Sequence, residues 1–228
     1  MKNRMLLDDY FNKEFEKQIN TNMFDYDYKF PYYEVKDYIE KINEIPLIEF
    51  IDYIIEKDIK SFAKESVVQY SSLDDATINI CRILKQNGDN GFSYVEVGKK
   101  LLDDGLIRKE GAYRKYGENH SKTAKELGLV QFDKYKCFLS IYGFIYNELD
   151  ERNRIKLLQR LILKNELIDT VVCLANDGIV DIADLIGFLS VSTIKRRRNN
   201  INKLIRIIFE ADIEILDKLY KNIEFKIP

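Results

Sequence analysis

Hydrophobic positions in this chain recur mostly at three- and four-residue steps, the spacing of helices that bury one face. Between 34 and 65, Val35, Ile39, Ile42, Ile45, Ile48, Ile51, Ile54 and Ile55 form such a stripe. Pro46 lacks a backbone donor and should kink or break it. A shorter helix is expected over 5–20, and the aromatic loop NMFDYDYKFPYY, with Pro31 as its breaker, separates the two. SSLDDATINICRILKQ predicts a Ser- or Asp-capped helix with Leu73, Ile80, Ile83 and Leu84 inward, followed by the turn NGDNG. SYVEVGKKLLDDG predicts a helix ending at Gly105, and EGAYRKYGENHSKTAKELG one ending at Gly128. In LGLVQFDKYKCFLSIYG the pattern becomes two short strands, LVQF and CFLSI, joined by the polar turn Asp133-Lys134-Tyr135. Helical spacing returns in RNRIKLLQRLILKN, in LIDTVVCLAND, after DGIVDIADLIG, and in EADIEILDKLYKNI. The expected fold is mostly α, in three parts: 1–70, 71–150 and 151–228.

Composition narrows the function more than the fold. With 228 residues, 46% of them hydrophobic, the chain can bury a substantial core. Its 36 Lys and Arg against 38 Asp and Glu leave a net charge of −2, which excludes a global cationic field. The charge is polarised: 1–70 holds 10 basic and 15 acidic side chains, 71–150 holds 12 of each, and 151–228 holds 14 and 11. Cys81, Cys137 and Cys173 lie far apart without a CxxC pair, which argues against a zinc finger or a disulfide framework and for a reducing compartment. His120 is the single histidine, so a His-rich metal site is excluded. No apolar run is long enough for a membrane span and MKNRMLLDDYF lacks a signal-peptide core, so a cytoplasmic, non-membrane protein is expected.

One stretch carries unusual charge. From Asp184 to Glu210 no acidic residue intervenes, while Lys195, Arg196, Arg197, Arg198, Lys203 and Arg206 supply six cations. Ile194, Ile201, Leu204, Ile205 and Ile208 would dock the helix, leaving Arg196, Asn199, Asn200 and Lys203 on the opposite face. Arginine and asparagine on one helix are suited to base edges in the major groove, and Lys195, Arg197 and Arg198 to phosphates. Ser190 or Ser192 would cap the helix, with Thr193 in its first turn near a phosphate. Upstream, Ala183 and Gly187 have the small-residue and turn-glycine placement of a helix-turn-helix, with one residue more between Gly187 and Ile194 than that pattern expects.

Three helices followed by a hairpin is the order of a winged helix. The run from Tyr116 to Val130, YGENHSKTAKELGLV, with the strand pair ending at Gly143, resembles winged-helix DNA-recognition modules of restriction endonucleases and related anti-phage defence proteins. The resemblance covers about 71–148, and more loosely 154–209. It implies that the third helix lies on DNA through Arg114, Lys115, Asn119, His120, Ser121 and Lys122, with Lys134 and Lys136 on the wing. Residues 108–125 hold six cations against Glu110 and Glu118, which suits that role.

The leading expectation is therefore sequence-specific binding of double-stranded DNA by two helix-turn-helix units, the first winged, without catalysis or cofactor, in a restriction, anti-phage or regulatory setting. Asp25 or Asp27 with Glu34 and Lys36 imitates the Asp and Glu-x-Lys spacing of a Mg-dependent endonuclease, the enzymatic alternative. A third reading makes the protein an accessory subunit of a larger defence complex, whose N-terminal stripe docks on an ATPase or nuclease partner.

Overall fold

The computed structural model describes residues 3–21, 32–87, 90–209 and 213–226. Helices α1 (Arg4–Tyr10) and α2 (Lys13–Thr21) replace the single helix expected over 5–20. The isoleucine stripe forms α3 (Tyr32–Glu44) and α4 (Leu47–Lys57), divided at Pro46 as predicted. Asp58, in the left-handed region with φ 49°, ends α4 well before residue 65. Six of the eight stripe residues are buried, and Ile48 and Ile55 are partly so.

The central part begins with a π-helical turn, Asp75–Asn79, that runs into α5 (Ile80–Asn87). A capping box starts α6 (Tyr94–Leu101): Glu96 N–H donates to Ser93 Oγ and Ser93 N–H donates to the Glu96 carboxylate at 2.8 Å. This helix stops at Leu101, and 102–109 form a loop rather than the expected extension to Gly105. Helix α7 (Glu110–Glu126) closes at Gly128, whose φ of 70° suits a residue without a side chain. Helices α6 and α7 touch main chain to main chain. A Cβ on Gly98 would lie 1.9 Å from the Tyr113 carbonyl oxygen, and one on Gly117 would lie 1.9 Å from that of Tyr94.

Strands β1 (Val130–Asp133) and β2 (Lys136–Leu139) pair antiparallel, with Val130 opposite Leu139 and Lys134 at φ 53° in the turn. Phe92, just before α6, exchanges backbone hydrogen bonds of 3.0 and 2.8 Å with Cys137, adding a one-residue edge to the hairpin. The hairpin ends earlier than the sequence suggests. Ile141 and Gly143 belong instead to α8 (Ile141–Glu148), where the Gly143 N–H donates to Ser140 Oγ at 2.9 Å. That helix is buried on several sides, so it lacks the polar face that would have shown a helical period.

Helices α9 (Glu151–Leu163) and α10 (Glu166–Asp177) begin at Asp150 and Asn165, whose side chains accept from the N–H groups of Asn153 and Ile168. They pack on α3 and α4 and cover the isoleucine stripe. Buried Arg160 of α9 donates to the carbonyls of Ile42 (2.9 Å), Asn43 (3.1 Å) and Ile45 (2.6 Å), which satisfies the acceptors left open where Pro46 stops α3. The stripe thus finds packing partners within the chain, in α9 and α10. After β3 (Val180–Asp181) come α11 (Ile182–Leu185), α12 (Val191–Phe209) and α13 (Ile213–Lys218). Strand β4 (Ile223–Glu224) returns parallel to β3, a pairing the sequence pattern did not suggest. Buried residues from Leu7 to Leu219 join in one hydrophobic core drawn from all three parts of the chain. Among the described residues, no helix is long and apolar enough to cross a membrane.

Candidate nucleic-acid interface

The outward face of α12 follows directly from its docking. Ile194, Ile201, Leu204, Ile205 and Ile208 are buried, and the 100° step between residues then sends Lys195, Arg196, Asn199 and Lys203 to solvent, with Arg198 beside them. Among the described residues, Lys195, Arg196, Arg198 and Lys203 form no ion pair; Arg196 Nη2 donates to Thr193 Oγ1 at 3.3 Å, and the Arg198 guanidinium stands 5.8 Å from the Phe225 ring centre. Ser190 precedes the helix, its carbonyl accepting from the N–H groups of Thr193 and Ile194, while Ser192 is exposed and Thr193 partly so.

On α7 the exposed cations are Arg114, Lys115, Lys122 and Lys125. Arg114 and Lys115 are exposed and form no ion pair among the described residues, whereas Lys122 is held by Glu118 at 2.6 Å and Asn119 is half-buried. At the hairpin tip Lys134 is exposed and Tyr135 retains 90% of its exposure, and Lys136 Nζ donates to the Asn90 carbonyl at 2.8 Å.

Four residues expected to face DNA are placed otherwise. His120 is 1% exposed and Ser121 is fully buried. The His120 Nε2 sits 3.2 Å from the Ser71 N–H and 3.3 Å from the Ser72 N–H, while Nδ1 lies 2.8 Å from the Tyr116 carbonyl. Two main-chain donors at Nε2 and an acceptor at Nδ1 fix the neutral form with its proton on Nδ1. Burial moves the ring's pKa below its ordinary value. Asn200, 9% exposed, bonds with both backbone groups of Tyr70, and Arg197 Nη1 donates to the Val67 carbonyl at 2.8 Å. Thr123 Oγ1 completes the set by donating to the Gln69 carbonyl at 2.8 Å.

The extended segment 67–72 is therefore gripped by α7 on one side and by α12 on the other, and it splints the two basic helices together. His120, Ser121 and Asn200 are thus withdrawn from the surface: the backbone splint occupies the polar groups of His120 and Asn200, and packing encloses Ser121. Arg197 is half withdrawn. A cleft of about 500 Å³ lies along this splint, lined by Lys64, Gln69, Asn119, Lys122, Lys125 and Arg197, with Tyr94 and Phe132 on its wall.

A larger cleft of about 1200 Å³ separates α2 from α10 and is rich in carboxylates: Glu16, Glu126, Glu166 and Asp169. Lys164 answers them from within, 2.5 Å from Glu16 and close to the rings of Tyr10 and Tyr142. Burial pushes the Asp169 carboxyl up to about 7.

Only part of the endonuclease constellation falls among the described residues. Asp25 and Asp27 lie outside the described residues, while Glu34 and Lys36 are two positions apart on α3. A helix turns about 200° over two residues, so these side chains diverge instead of converging from adjacent strands. The thiols of Cys81, Cys137 and Cys173 are all buried, and burial raises the pKa of each, which suits packing rather than nucleophilic attack. Comparison with family models, curated proteins and solved structures finds no match to this chain.

Proposed function

We propose that this protein binds double-stranded DNA through the outward face of α12 together with the exposed start of α7 and the hairpin tip. In this reading 71–148 act as a winged helix, and α11 with α12 as a second helix-turn-helix. The order α5, Phe92 edge, α6, α7, β1, β2 supports the first unit. The observation that carries the proposal is the face of Lys195, Arg196, Arg198, Asn199 and Lys203, uncompensated by carboxylates among the described residues and directed away from the core. Asn199 is the amide left exposed for a base edge once Asn200 is committed to Tyr70. The restriction or anti-phage setting is supported by the sequence resemblance alone.

Duplex affinity measured against salt tests this reading. Seven exposed cations, Arg114, Lys115, Lys134, Lys195, Arg196, Arg198 and Lys203, predict a log–log slope of about −6, and replacing Lys195, Arg196 and Lys203 by Ala should reduce it by about 3. A flat salt response, or a triple variant that binds as tightly as the parent, would overturn the proposal.

A further inference from the structure

The loop between α6 and α7 holds two aliphatic side chains in water on a rigid scaffold. Ile107 is 100% exposed and Leu106 62%. Single exposed aliphatics are ordinary on a protein surface. These two are adjacent, and the main chain beneath them is locked. Arg108 grips Asp104 with both ends of its guanidinium, at 2.6 and 2.5 Å. The Tyr113 hydroxyl accepts from the Arg108 N–H and donates to the Leu106 carbonyl, each at 3.0 Å. The Leu106 N–H donates to Asp104 Oδ1 at 3.1 Å, and Gly105 takes φ 75° to let the chain turn. These bonds hold the loop with Leu106 and Ile107 presented outward to solvent.

We infer that Leu106 and Ile107 form an apolar wedge that enters between base steps of a bound duplex and bends it. The inference rests on the DNA reading given above. Charge leans toward a polyanion: Asp104 neutralises Arg108, leaving Lys109, Arg114 and Lys115 exposed at this end of α7 against Asp103 and Glu110, a surplus of one cation. Duplex DNA offers both things this end of the molecule requires, phosphates for the cations and stacked bases for an aliphatic tip. The pre-set loop reduces the ordering cost of insertion, because the main chain already stands in one conformation.

The test uses the full chain and a duplex enriched by it from a random library, with 2-aminopurine placed at each adenine in turn and dyes at the duplex ends. The parent protein should raise 2-aminopurine fluorescence at one step and shorten the end-to-end distance. The Leu106→Ser, Ile107→Ser double variant should lose both signals and about tenfold in affinity, with the salt slope and unfolding temperature unchanged. Salt-dependent binding by the parent without unstacking or bending overturns the wedge and leaves the DNA reading standing, as does a double variant that keeps both signals. A parent that binds no duplex overturns both. If the parent self-associates and the double variant is monomeric, the pair is a contact between copies and the wedge is overturned.

Discussion

The carboxamide of Asn200 pairs with the main chain of Tyr70 as a neighbouring strand would. Asn200 Nδ2 donates to the Tyr70 carbonyl at 2.8 Å, the Tyr70 N–H donates to Oδ1 at 3.4 Å, and the Tyr70 hydroxyl returns to the Asn200 carbonyl at 2.9 Å. Removing the amide strands two buried backbone groups, so Asn200→Ala should destabilise the fold by about 2–3 kcal/mol, whereas Tyr70→Phe should cost about 1 kcal/mol. Urea unfolding of both variants checks the order; equal effects would mean that the carboxamide is not the principal tie.

His120 makes stability depend on pH. Its pKa in the fold is below the ordinary 6.5, because burial opposes the charge and two N–H donors already face Nε2. Above about 6.5 both folded and unfolded rings are neutral and the contribution is whole; as pH falls from there through the folded value, the unfolded chain takes up protons first and stability is lost. His120→Gln keeps an acceptor for Ser71 and Ser72 but does not titrate. The stability gap between parent and variant should therefore narrow as pH falls from about 7.5 to 5. A gap that stays constant would show that His120 is not the titrating group.

Asp169 acts with the opposite sign. Its carboxyl is pushed up to about 7 from 3.8, mainly by burial and further by Glu166, with Lys13 and the Cys173 thiol opposing the rise. The folded protein holds a proton that the unfolded chain has released, so this contribution is whole below 3.8 and is lost as pH rises through about 7. Asp169→Asn should thus gain on the order of 1 kcal/mol over the parent at pH 8, with no comparable gain near pH 5. Thermal unfolding at the two pH values is the measurement.

Arg160 should be among the least replaceable cations. Its guanidinium serves three carbonyls at the end of α3, and burial lowers its pKa to about 10. Arg160→Met, similar in length but without donors, should cost about 3 kcal/mol through the stranded acceptors. Arg196→Met on the exposed face should change stability by less than about 0.5 kcal/mol while weakening DNA binding. Parallel unfolding and binding measurements on the two variants distinguish a structural arginine from an interfacial one.

These contrasts show which features were legible in the sequence. The isoleucine stripe of α3 and α4, the division at Pro46, the hairpin turn at Lys134 and the docked face of α12 all follow from local periodicity and turn chemistry, which a short window contains. Helix α8 was hidden because burial on several sides erases the alternation that marks a helix. Asn200 and His120 were misplaced for a different reason. Asn200 sits beside Asn199, and His120 two residues before Lys122, while their true partners, Tyr70 and Ser71, lie 130 and 49 residues away. Sequence shows that a polar group needs a partner; only the tertiary structure shows whether that partner is inside. Leu106 and Ile107 carried a signal, two adjacent aliphatics in a polar turn, that periodicity passes over.

The contact of Gly98 and Gly117 with opposing main chain has a consequence for engineering. Side chains at an ordinary helix crossing act as adjustable shims, and changing them re-aims one helix on the other. Between α6 and α7 there is no shim: each glycine lies where a methyl group would collide with a carbonyl oxygen. The bearing of α7 is set by the backbone itself, so exposed residues such as Arg114 and Lys115 can be exchanged without turning the helix that presents them.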